Sequence, residues 1–490
     1  MTGPQQPRPE NSTRQHPGSR RNSRRRHQRR SRHIVAGALL LVAVLALVLA
    51  FSAGDSGSNA AATPSTGTPL WSARRVPQAL VEGVGAQHLQ AAMNFADGGD
   101  GNCFEVTAGD TVLASNNADA PVLGASTQKV LVAAATLGAL GPDFTYVTKA
   151  VAPGGVDNGT VDKLYLVGSG DPVLSTAEYA AVLKQGKWTG NDVTTSMEAL
   201  ADAIVAKGVK RIPGGIVGDD SRYDNERYIP TWKPEYRTGG DIGPMGALTV
   251  NDGLTSVSRK TLADDPALNT AQTLTALLTA RGVQVGGASS GATPAGTTEI
   301  ASVTSPPLKD IVASMLTSSD NNSAELLVKE LGVHDSKQGT TAAGTAAVKA
   351  RLLALGLPAE PLALVDGSGL DRGNRLTCNL LVRTLALAAD KPEFAAIILG
   401  LPVAGQSGTL IDQMTGTPLA GKLRAKTGSL QGVAGLTGIV EVGPTLRFAF
   451  VDTGDFPEGS APAIRLKLAE IIGTFPDAPP ADTLVPAPAP

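Results

Sequence analysis

Three short polar strings in this chain contain the side chains that a serine acyl-transfer reaction needs. In order along the chain they are Ser126-Thr127-Gln128-Lys129, Ser319-Asp320-Asn321 and Lys426-Thr427-Gly428. A serine hydroxyl is a poor nucleophile until a base removes its proton. A lysine amine can be that base when burial or a nearby cation lowers its pKa. Together the strings supply one nucleophile, two amines and a polar bridge without a histidine.

The spacing within the first string favours direct contact between its reactive residues. Ser126 and Lys129 are three positions apart, which in a helix places them on one face within hydrogen-bond reach. The apolar, Ala-rich segment Lys129 to Leu140, closed by Gly141-Pro142, predicts a buried helix. We therefore expect Ser126 at a helix N-terminus, where backbone N–H groups can stabilise a reacting carbonyl.

The other two strings are ambiguous when each is taken alone. Ser319-Asp320-Asn321 lies between two predicted helices and could simply cap the second one. Lys426-Thr427-Gly428-Ser429 precedes a predicted strand and could be a solvated loop. The presence of all three strings in one order favours the enzymatic interpretation.

Other catalytic chemistries have little support in the sequence. Of the five histidines, only His88 and His334 lie outside the basic N-terminal tail, and neither is near a Gly-x-Ser-x-Gly elbow. No His, Asp or Glu cluster and no Cys-x-x-Cys indicates a metal site, so we expect no metal and no cofactor. Cys103 and Cys378 could form a disulfide or stay as two buried thiols, and the sequence leaves both open.

The N-terminal segment has the charge pattern of a membrane anchor. Residues 1–33 contain ten arginines and one acid, which leaves a net charge of about −11 on the rest of the chain. The uncharged segment Ile34 to Phe51 follows directly and is near the minimum length for a membrane-spanning helix. The arginines would keep the N-terminus cytoplasmic and place the remainder outside. The alternative is a signal peptide cleaved near Ala60-Ala61-Ala62; a nucleic-acid-binding arm is disfavoured by the adjoining apolar segment.

Helical and strand patterns predict an α+β fold in which one domain is interrupted by another. Strand patterns occur early (Cys103 to Val106) and late (Gly435 to Val442, Thr445 to Val451), with helices between Pro307 and Ala389. We expect seven segments: a basic tail (1–33), a membrane anchor (34–51), a flexible linker (52–76), the first part of a catalytic domain (77–144), a mostly-β inserted region (145–300), the second catalytic part (301–475) and a Pro/Ala-rich tail (476–490).

With these strings in place, the chain resembles the low-molecular-mass class C penicillin-binding proteins of the serine β-lactamase superfamily. The resemblance covers about residues 80–475 and includes Gly168–Pro172, Gly218–Ser221, Asp366–Leu370 and Leu401–Gly405. Ser126 and Ser319 are 193 positions apart, a far longer interval than in a β-lactamase. The resemblance implies a penicillin-binding transpeptidase-like domain, an antiparallel sheet with helices, that carries a large insertion between its first two motifs.

The resemblance also implies catalytic roles. Ser126 would form the acyl-enzyme, Lys129 would take its proton, and Ser319 and Asn321 would bridge the two lysines and hold the substrate amide. Lys426 would keep Lys129 less basic and attract the substrate carboxylate.

Substrate-binding roles follow from the same resemblance. Thr427 and Gly428 would border the carboxylate, and the backbone N–H groups of Ser126 and Ser429 would form the oxyanion hole. Asp171 and Arg372 are the candidates for contacts with the peptide stem, although a turn cap and a surface arginine are equally good interpretations.

The function implied is that of a serine D-Ala-D-Ala carboxypeptidase, with DD-endopeptidase activity as an addition. Its partners would be peptidoglycan stem peptides, β-lactams as covalent inhibitors and the membrane, but not nucleic acid. Two alternatives stay open: a β-lactamase-like hydrolase on the same scaffold and an inactive wall-binding protein. Rapid penicillin turnover would favour the first, and tight muropeptide binding without cleavage would favour the second.

Overall fold

A computed structural model of the 490-residue chain describes residues 77–94 and 101–477. The predicted basic tail (1–33), membrane anchor (34–51) and linker (52–76) lie outside these residues, as does the Pro-rich end from 478 onward. None of the helices within the described ranges is long and apolar enough to cross a membrane.

The described residues form strands and helices throughout. The strands are β1 (Cys103–Ala108), β2 (Thr111–Asn116), β3 (Val147–Ala152), β4 (Leu164–Val167), β5 (Leu174–Ser175), β6 (Thr195–Ser196), β7 (Arg211–Ile212), β8 (Ile216–Asp219), β9 (Leu254–Ser256), β10 (Thr261–Leu262), β11 (Gln284–Val285), β12 (Ala288–Ser290), β13 (Thr298–Thr304), β14 (Leu423–Leu430), β15 (Val433–Glu441) and β16 (Thr445–Thr453). The α-helices are α1 (Pro77–Met93), α2 (Lys129–Leu140), α3 (Ala177–Gln185), α4 (Met197–Ala206), α5 (Pro234–Gly239), α6 (Pro266–Ala280), α7 (Leu308–Ser318), α8 (Asn321–Ser336), α9 (Thr341–Ala354), α10 (Cys378–Asp390), α11 (Ala395–Gly400) and α12 (Ala461–Gly473).

The main sheet is antiparallel and takes its strands from both ends of the described chain. Its order is β14-β15-β16-β1-β2, so β14 is an edge strand. Side chains of β16 alternate between two cores: Ala449 and Val451 pack with the central helices, while Phe448 and Phe450 pack with α1 and α12. This architecture confirms the predicted α+β domain of antiparallel sheet and helices.

A second five-stranded sheet, of order β12-β8-β4-β3-β13, lies in the inserted region and runs from Val147 to Thr304. It is mixed, because β4, β8 and β12 pair in parallel whereas β3 pairs antiparallel with β4 and β13. Helices α4 and α6 bury their apolar faces in its core. The expectation of a mostly-β insertion was therefore wrong, since helices make up at least as much of this region as strands do.

Two ion pairs, each with its α8 partner buried, attach the inserted region to helix α8. Arg222 pairs with Glu330, and Lys329, only 1% exposed, pairs with Asp224. Removing Arg222 or Asp224 would leave a buried charge on α8 without its partner, which destabilises the folded state. The pairs therefore fix the inserted region against the helix that carries Asn321 at its first position.

A disulfide joins Cys103 at the start of β1 to Cys378, the first residue of α10, with their Cα atoms 6.0 Å apart. The structure thus selects the disulfide over the two free thiols that the sequence left open. Both cysteines lie within the central core cluster, so the bond connects the main sheet to its helical layer.

Candidate active site

The first motif forms a short turn that enters a buried helix. Residues Ala125–Gln128 make a 3-10 turn, and α2 begins at Lys129. Ala125 has a left-handed backbone, with φ 47°. The predicted contact is formed, because Lys129 Nζ lies 2.8 Å from Ser126 Oγ.

Lys129 has two further hydrogen-bond acceptors besides the serine. Its Nζ donates to Asn321 Oδ1 at 2.7 Å and to the Ser368 carbonyl at 2.7 Å. The side chain of Lys129 is fully buried. All three positions around its nitrogen are thus occupied by oxygen atoms.

The second motif forms the junction between two helices. Helix α7 ends at Ser318, Ser319 follows in the left-handed region with φ 64°, and α8 begins at Asn321. Asp320 caps α8, because its carboxylate accepts the N–H groups of Asn322 and Ser323. The capping interpretation of this string was therefore correct for Asp320, while Ser319 and Asn321 point their side chains at the two lysines.

The third motif lies within edge strand β14 rather than in a loop that precedes a strand, as the sequence suggested. Lys426 is fully buried, and its Nζ donates to Ser319 Oγ at 2.8 Å and to the Thr427 carbonyl at 2.9 Å. A Cβ on Gly428 would lie 2.5 Å from the Gly124 carbonyl oxygen. Glycine is needed at this position because β14 approaches the serine turn so closely.

The two lysines have different electrostatic surroundings. Burial lowers the pKa of Lys129 to about 8, while the nearby carboxylates of Asp366, Asp320 and Glu325 oppose that shift. Burial, followed by the charges of Lys129 and Arg465, holds the pKa of Lys426 well below its ordinary value. Burial is the main cause of the low pKa at Lys129, and the expected contribution of Lys426 to it stays a prediction.

The motifs meet in a cleft of about 550 Å³. Its walls include Ser126, Ser319, Asn321, Thr427 and Ser429. The predicted catalytic residues are therefore brought together, with the lysines buried behind the serines that line the cleft.

Arg465 of helix α12 is a site residue that the motifs did not signal. Its Nη1 donates to Ser429 Oγ at 2.8 Å and to the Gly428 carbonyl at 3.1 Å. Burial lowers the pKa of Arg465 to about 10, so the guanidinium stays charged at neutral pH. Thr409 is a second unsignalled residue, since its Oγ1 lies 2.9 Å from Thr427 Oγ1 in the same cleft. Neither belongs to a recognisable string, because long-range folding alone places them here.

The two stem-peptide candidates have different outcomes. Asp171 is buried and absent from the cleft walls, and its carboxylate accepts the Val173 N–H at 3.0 Å. The structure therefore places it as a turn cap. Arg372 is exposed and donates to the Gln431 carbonyl at 2.9 Å, directly after β14, so its role in substrate binding stays a prediction.

In residues 77–94 and 101–477, no group of three or more His, Cys, Asp or Glu side chains could hold a metal ion.

Fold and site together define a serine hydrolase of the penicillin-binding type, with paired Ser–Lys groups beside the edge strand of an antiparallel sheet. Sequence comparison with family models is more specific. The chain belongs to the D-Ala-D-Ala carboxypeptidase 3 (S13) family, whose model matches residues 99–263 and 259–473. This assignment confirms the predicted enzyme class, a serine-type D-Ala-D-Ala carboxypeptidase.

Individual relatives agree with the family assignment. The chain is 34% identical to a carboxypeptidase of Mycobacterium tuberculosis over 70% of this chain and 73% of the relative. It is 29% identical to a D-alanyl-D-alanine carboxypeptidase of Actinomadura sp. (strain R39) over 89% of this chain and 91% of that protein. The crystal structure of penicillin binding protein 4 from Haemophilus influenzae shares the fold, with a TM-score of 0.66 at 21% identity over 79% of this chain and 99% of that one.

Proposed function

We propose that the protein removes the terminal D-alanine from peptidoglycan stem peptides through an acyl-enzyme on Ser126. The observation that carries the proposal is the 2.8 Å contact between Ser126 Oγ and the buried amine of Lys129 inside the cleft. The name of the Actinomadura relative, a D-alanyl-D-alanine carboxypeptidase, supports this substrate.

Acylation begins with proton transfer within the first Ser–Lys pair. Neutral Lys129 takes the proton of Ser126, and Oγ attacks the carbonyl between the two D-alanines. The backbone N–H groups of Ser126 and Ser429 receive the developing oxyanion, Ser429 being part of edge strand β14. One such donor contributes about 3 kcal/mol to lowering the barrier.

The second Ser–Lys pair supports departure of the leaving group. The C–N bond breaks when the leaving amine receives a proton, which Ser319 delivers and Lys426 replaces across their 2.8 Å contact. Terminal D-alanine then leaves with a neutral amine, and the acyl group remains as an ester on Ser126. Lys129 then releases to solvent the proton that it took from Ser126, and Lys426 regains the one that it lost. Neutral Lys129 next takes a proton from a water molecule that attacks the ester, and returns it to Ser126 Oγ as the acyl–oxygen bond breaks, which restores the free hydroxyl.

Arg465 and Thr427 hold the carboxylate of the terminal D-alanine. Both line the cleft, and Arg465 keeps its charge at neutral pH because its pKa is about 10. Lys426 is a poorer source of charge there, since its pKa is held well below the ordinary value. A guanidinium also matches a carboxylate with two parallel hydrogen bonds.

Cleavage of cross-linked peptides is a second activity of the same site. The cleft continues past Asn321 and the exposed Trp188 into a groove of about 500 Å³ whose far wall is formed by the inserted region. That groove gives a second peptide strand room beside the scissile bond. DD-endopeptidase activity requires only this additional access, because the bond broken has the same chemistry.

β-Lactams should acylate Ser126 because they mimic the D-Ala-D-Ala end of the substrate. A structure of Haemophilus influenzae penicillin binding protein 4 complexed with a β-lactam has the same fold, with a TM-score of 0.61.

We place the catalytic part outside the cytoplasm, with residues 34–51 as its membrane anchor. The Cys103–Cys378 disulfide supports that location, since such bonds persist in oxidising compartments.

Fluorescent penicillin labelling of the full-length protein tests this function. We expect the wild type to be labelled and to release D-alanine from a stem peptide ending in D-Ala-D-Ala. Ser126→Ala should lose both, whereas the matched control Ser336→Ala, a serine that donates to its own helix backbone, should keep both. Persistent labelling of Ser126→Ala would contradict the assignment. Rapid turnover of penicillin would instead favour a β-lactamase, and intact peptide despite tight binding would favour a wall-binding protein.

A further inference from the structure

A neutral lysine that acts as a base must point its lone pair at the proton that it removes. A neutral amine carries two N–H donors and one lone pair at the three positions around its nitrogen. In this site the Asn321 amide oxygen and the Ser368 carbonyl can only accept hydrogen bonds. The two N–H groups of neutral Lys129 must therefore point at these oxygens, which leaves the lone pair directed at Ser126 Oγ.

The Ser368 carbonyl is thus as important to the base as Asn321, although it belongs to no catalytic string. It accepts from Lys129 at 2.7 Å and lies 3.4 Å from Ser126 Oγ. It sits in the loop Asp366-Gly367-Ser368-Gly369, which we call the 366–369 loop. What fixes this loop also fixes the direction of the lone pair.

Glu325 holds the 366–369 loop from helix α8. Its carboxylate accepts the Ser368 N–H at 2.7 Å and the Gly367 N–H at 3.1 Å. The side chain of Glu325 is fully buried, and it lies one helical turn after Asn321, on the same face of α8. One rigid helix therefore positions both oxygens that receive the N–H groups of Lys129.

The 366–369 loop is also packed too tightly to take up another position. A Cβ on Gly367 would lie 2.7 Å from the Ala324 carbonyl, and one on Gly369 would lie 2.2 Å from the Ala125 carbonyl. The carboxylate of Asp366 accepts the Gly369 N–H at 2.9 Å, which closes the loop from inside. The loop is thus wedged between α8 and the serine turn.

We propose that Glu325 is a positioning residue for the reaction: by holding the Ser368 carbonyl it directs the lone pair of Lys129 at the Ser126 hydroxyl. The inference rests on the proposed function, in which Lys129 is the base. It gives a role to a buried glutamate that contacts neither substrate nor nucleophile.

The test compares acylation by fluorescent penicillin across pH in the full-length protein and in Glu325→Gln. We expect the plateau rate constant to fall about 10- to 100-fold, because misplacement of a reacting group by about 1 Å can cost about 100-fold. Non-covalent affinity should be unchanged. The acid limb of the plot of acylation rate against pH should also move to lower pH. The Glu325 carboxylate raises the pKa of Lys129, so its loss lowers that pKa, although Asp320 and Asp366 continue to raise it.

Glu330→Gln is the matched control. Glu330 is a buried glutamate on the same helix that pairs with Arg222, away from the cleft. We expect it to lower the melting temperature yet to keep the acylation plateau within about twofold and the acid limb in place. If Glu325→Gln does not fold, Asp366→Asn serves instead, since it releases the same loop and removes a charge that acts on Lys129.

The proposal requires that Glu325→Gln, or Asp366→Asn in its place, lower the plateau of the acylation rate and shift its acid limb. Glu330→Gln must do neither. Absence of either effect, or equal effects in the control, would overturn it. Failure of the wild type to be labelled would instead refute the proposed function, so the two failures are distinguishable.

Discussion

Two Ser–Lys pairs at one cleft have the same distance between serine and lysine, yet the charges around the two lysines differ. The Ser126–Lys129 pair and the Ser319–Lys426 pair both have an Oγ–Nζ distance of 2.8 Å. Carboxylates surround the first lysine and raise its pKa against the effect of burial. The second lysine has cationic neighbours, Lys129 and Arg465, which lower its pKa further.

The difference shows that contact distance alone does not decide which serine is the nucleophile. Lys129 has two fixed acceptors besides its serine, so its lone pair has one direction. Lys426 has one, the Thr427 carbonyl, and its neighbouring charges favour loss of a proton. The first pair is thus arranged to accept the proton of Ser126, and the second to hand one to the leaving amine.

The largest expected effect comes from removing each amine in turn. Lys129→Met should lower the acylation rate constant by about 10³- to 10⁴-fold, because general-base assistance is lost. Lys426→Met should lower it less, by about 10²-fold, because the nucleophile keeps its base. Stopped-flow measurement with a chromogenic β-lactam checks this order. Equal losses, or a larger loss in Lys426→Met, would contradict the division of roles.

The pH dependence sharpens the same contrast. Acylation needs neutral Lys129, whose pKa is about 8, so the rate should rise with pH and level off above that value. Below it, each pH unit should cost about tenfold. Rate constants measured from pH 5 to 10 check this midpoint. A midpoint near the ordinary lysine value would contradict the lowered pKa of Lys129.

A third expectation concerns the approach of β14 to the serine turn. Gly428→Ala should lower acylation about 10- to 100-fold, because the added Cβ would lie 2.5 Å from the Gly124 carbonyl and force the strand away from Ser126. Gly109→Ala is the control, since a Cβ there meets no atom within 4 Å, although its left-handed backbone costs some stability. An unchanged rate in Gly428→Ala would mean that the strand does not contribute to the oxyanion hole.

The smallest expected effect is on binding at the strand side of the cleft. Arg465→Met should raise the KM for a peptide ending in D-Ala-D-Ala about tenfold and leave the kcat nearly unchanged, because a charge-assisted hydrogen bond to the carboxylate is lost. Steady-state release of D-alanine measures both constants. A fall in kcat with constant KM would instead assign Arg465 to the chemical step.

Sequence reasoning was most accurate where local signals agree. Helix α2 was predicted as Lys129 to Leu140, which is its observed extent, because an apolar run ends at Gly141-Pro142. The early strand pattern, Cys103 to Val106, likewise lies within the observed bounds of β1. In the inserted region, helix α3 was missed because it is only nine residues long and none of its residues is fully buried.

The site itself was only partly predictable. The three strings identified the two Ser–Lys pairs and Asn321, because those residues recur as short motifs. Arg465 and Thr409 reach the cleft through packing between distant segments, and no local pattern marks them. Ser368 lies in the stretch Asp366–Leu370 that the resemblance included, but nothing there indicated that its carbonyl accepts from Lys129. Asp171 shows the opposite error. It lies in the family-like stretch Gly168–Pro172, yet its buried carboxylate caps a turn and does not line the cleft.

The most direct test of the central claim maps the acylated residue. The full-length protein is treated with penicillin, digested and examined by peptide mass spectrometry. Because two serines each contact a lysine at 2.8 Å in one cleft, the experiment separates them without mutation. We expect the adduct on Ser126. An adduct on Ser319, or none on either serine, would contradict the account.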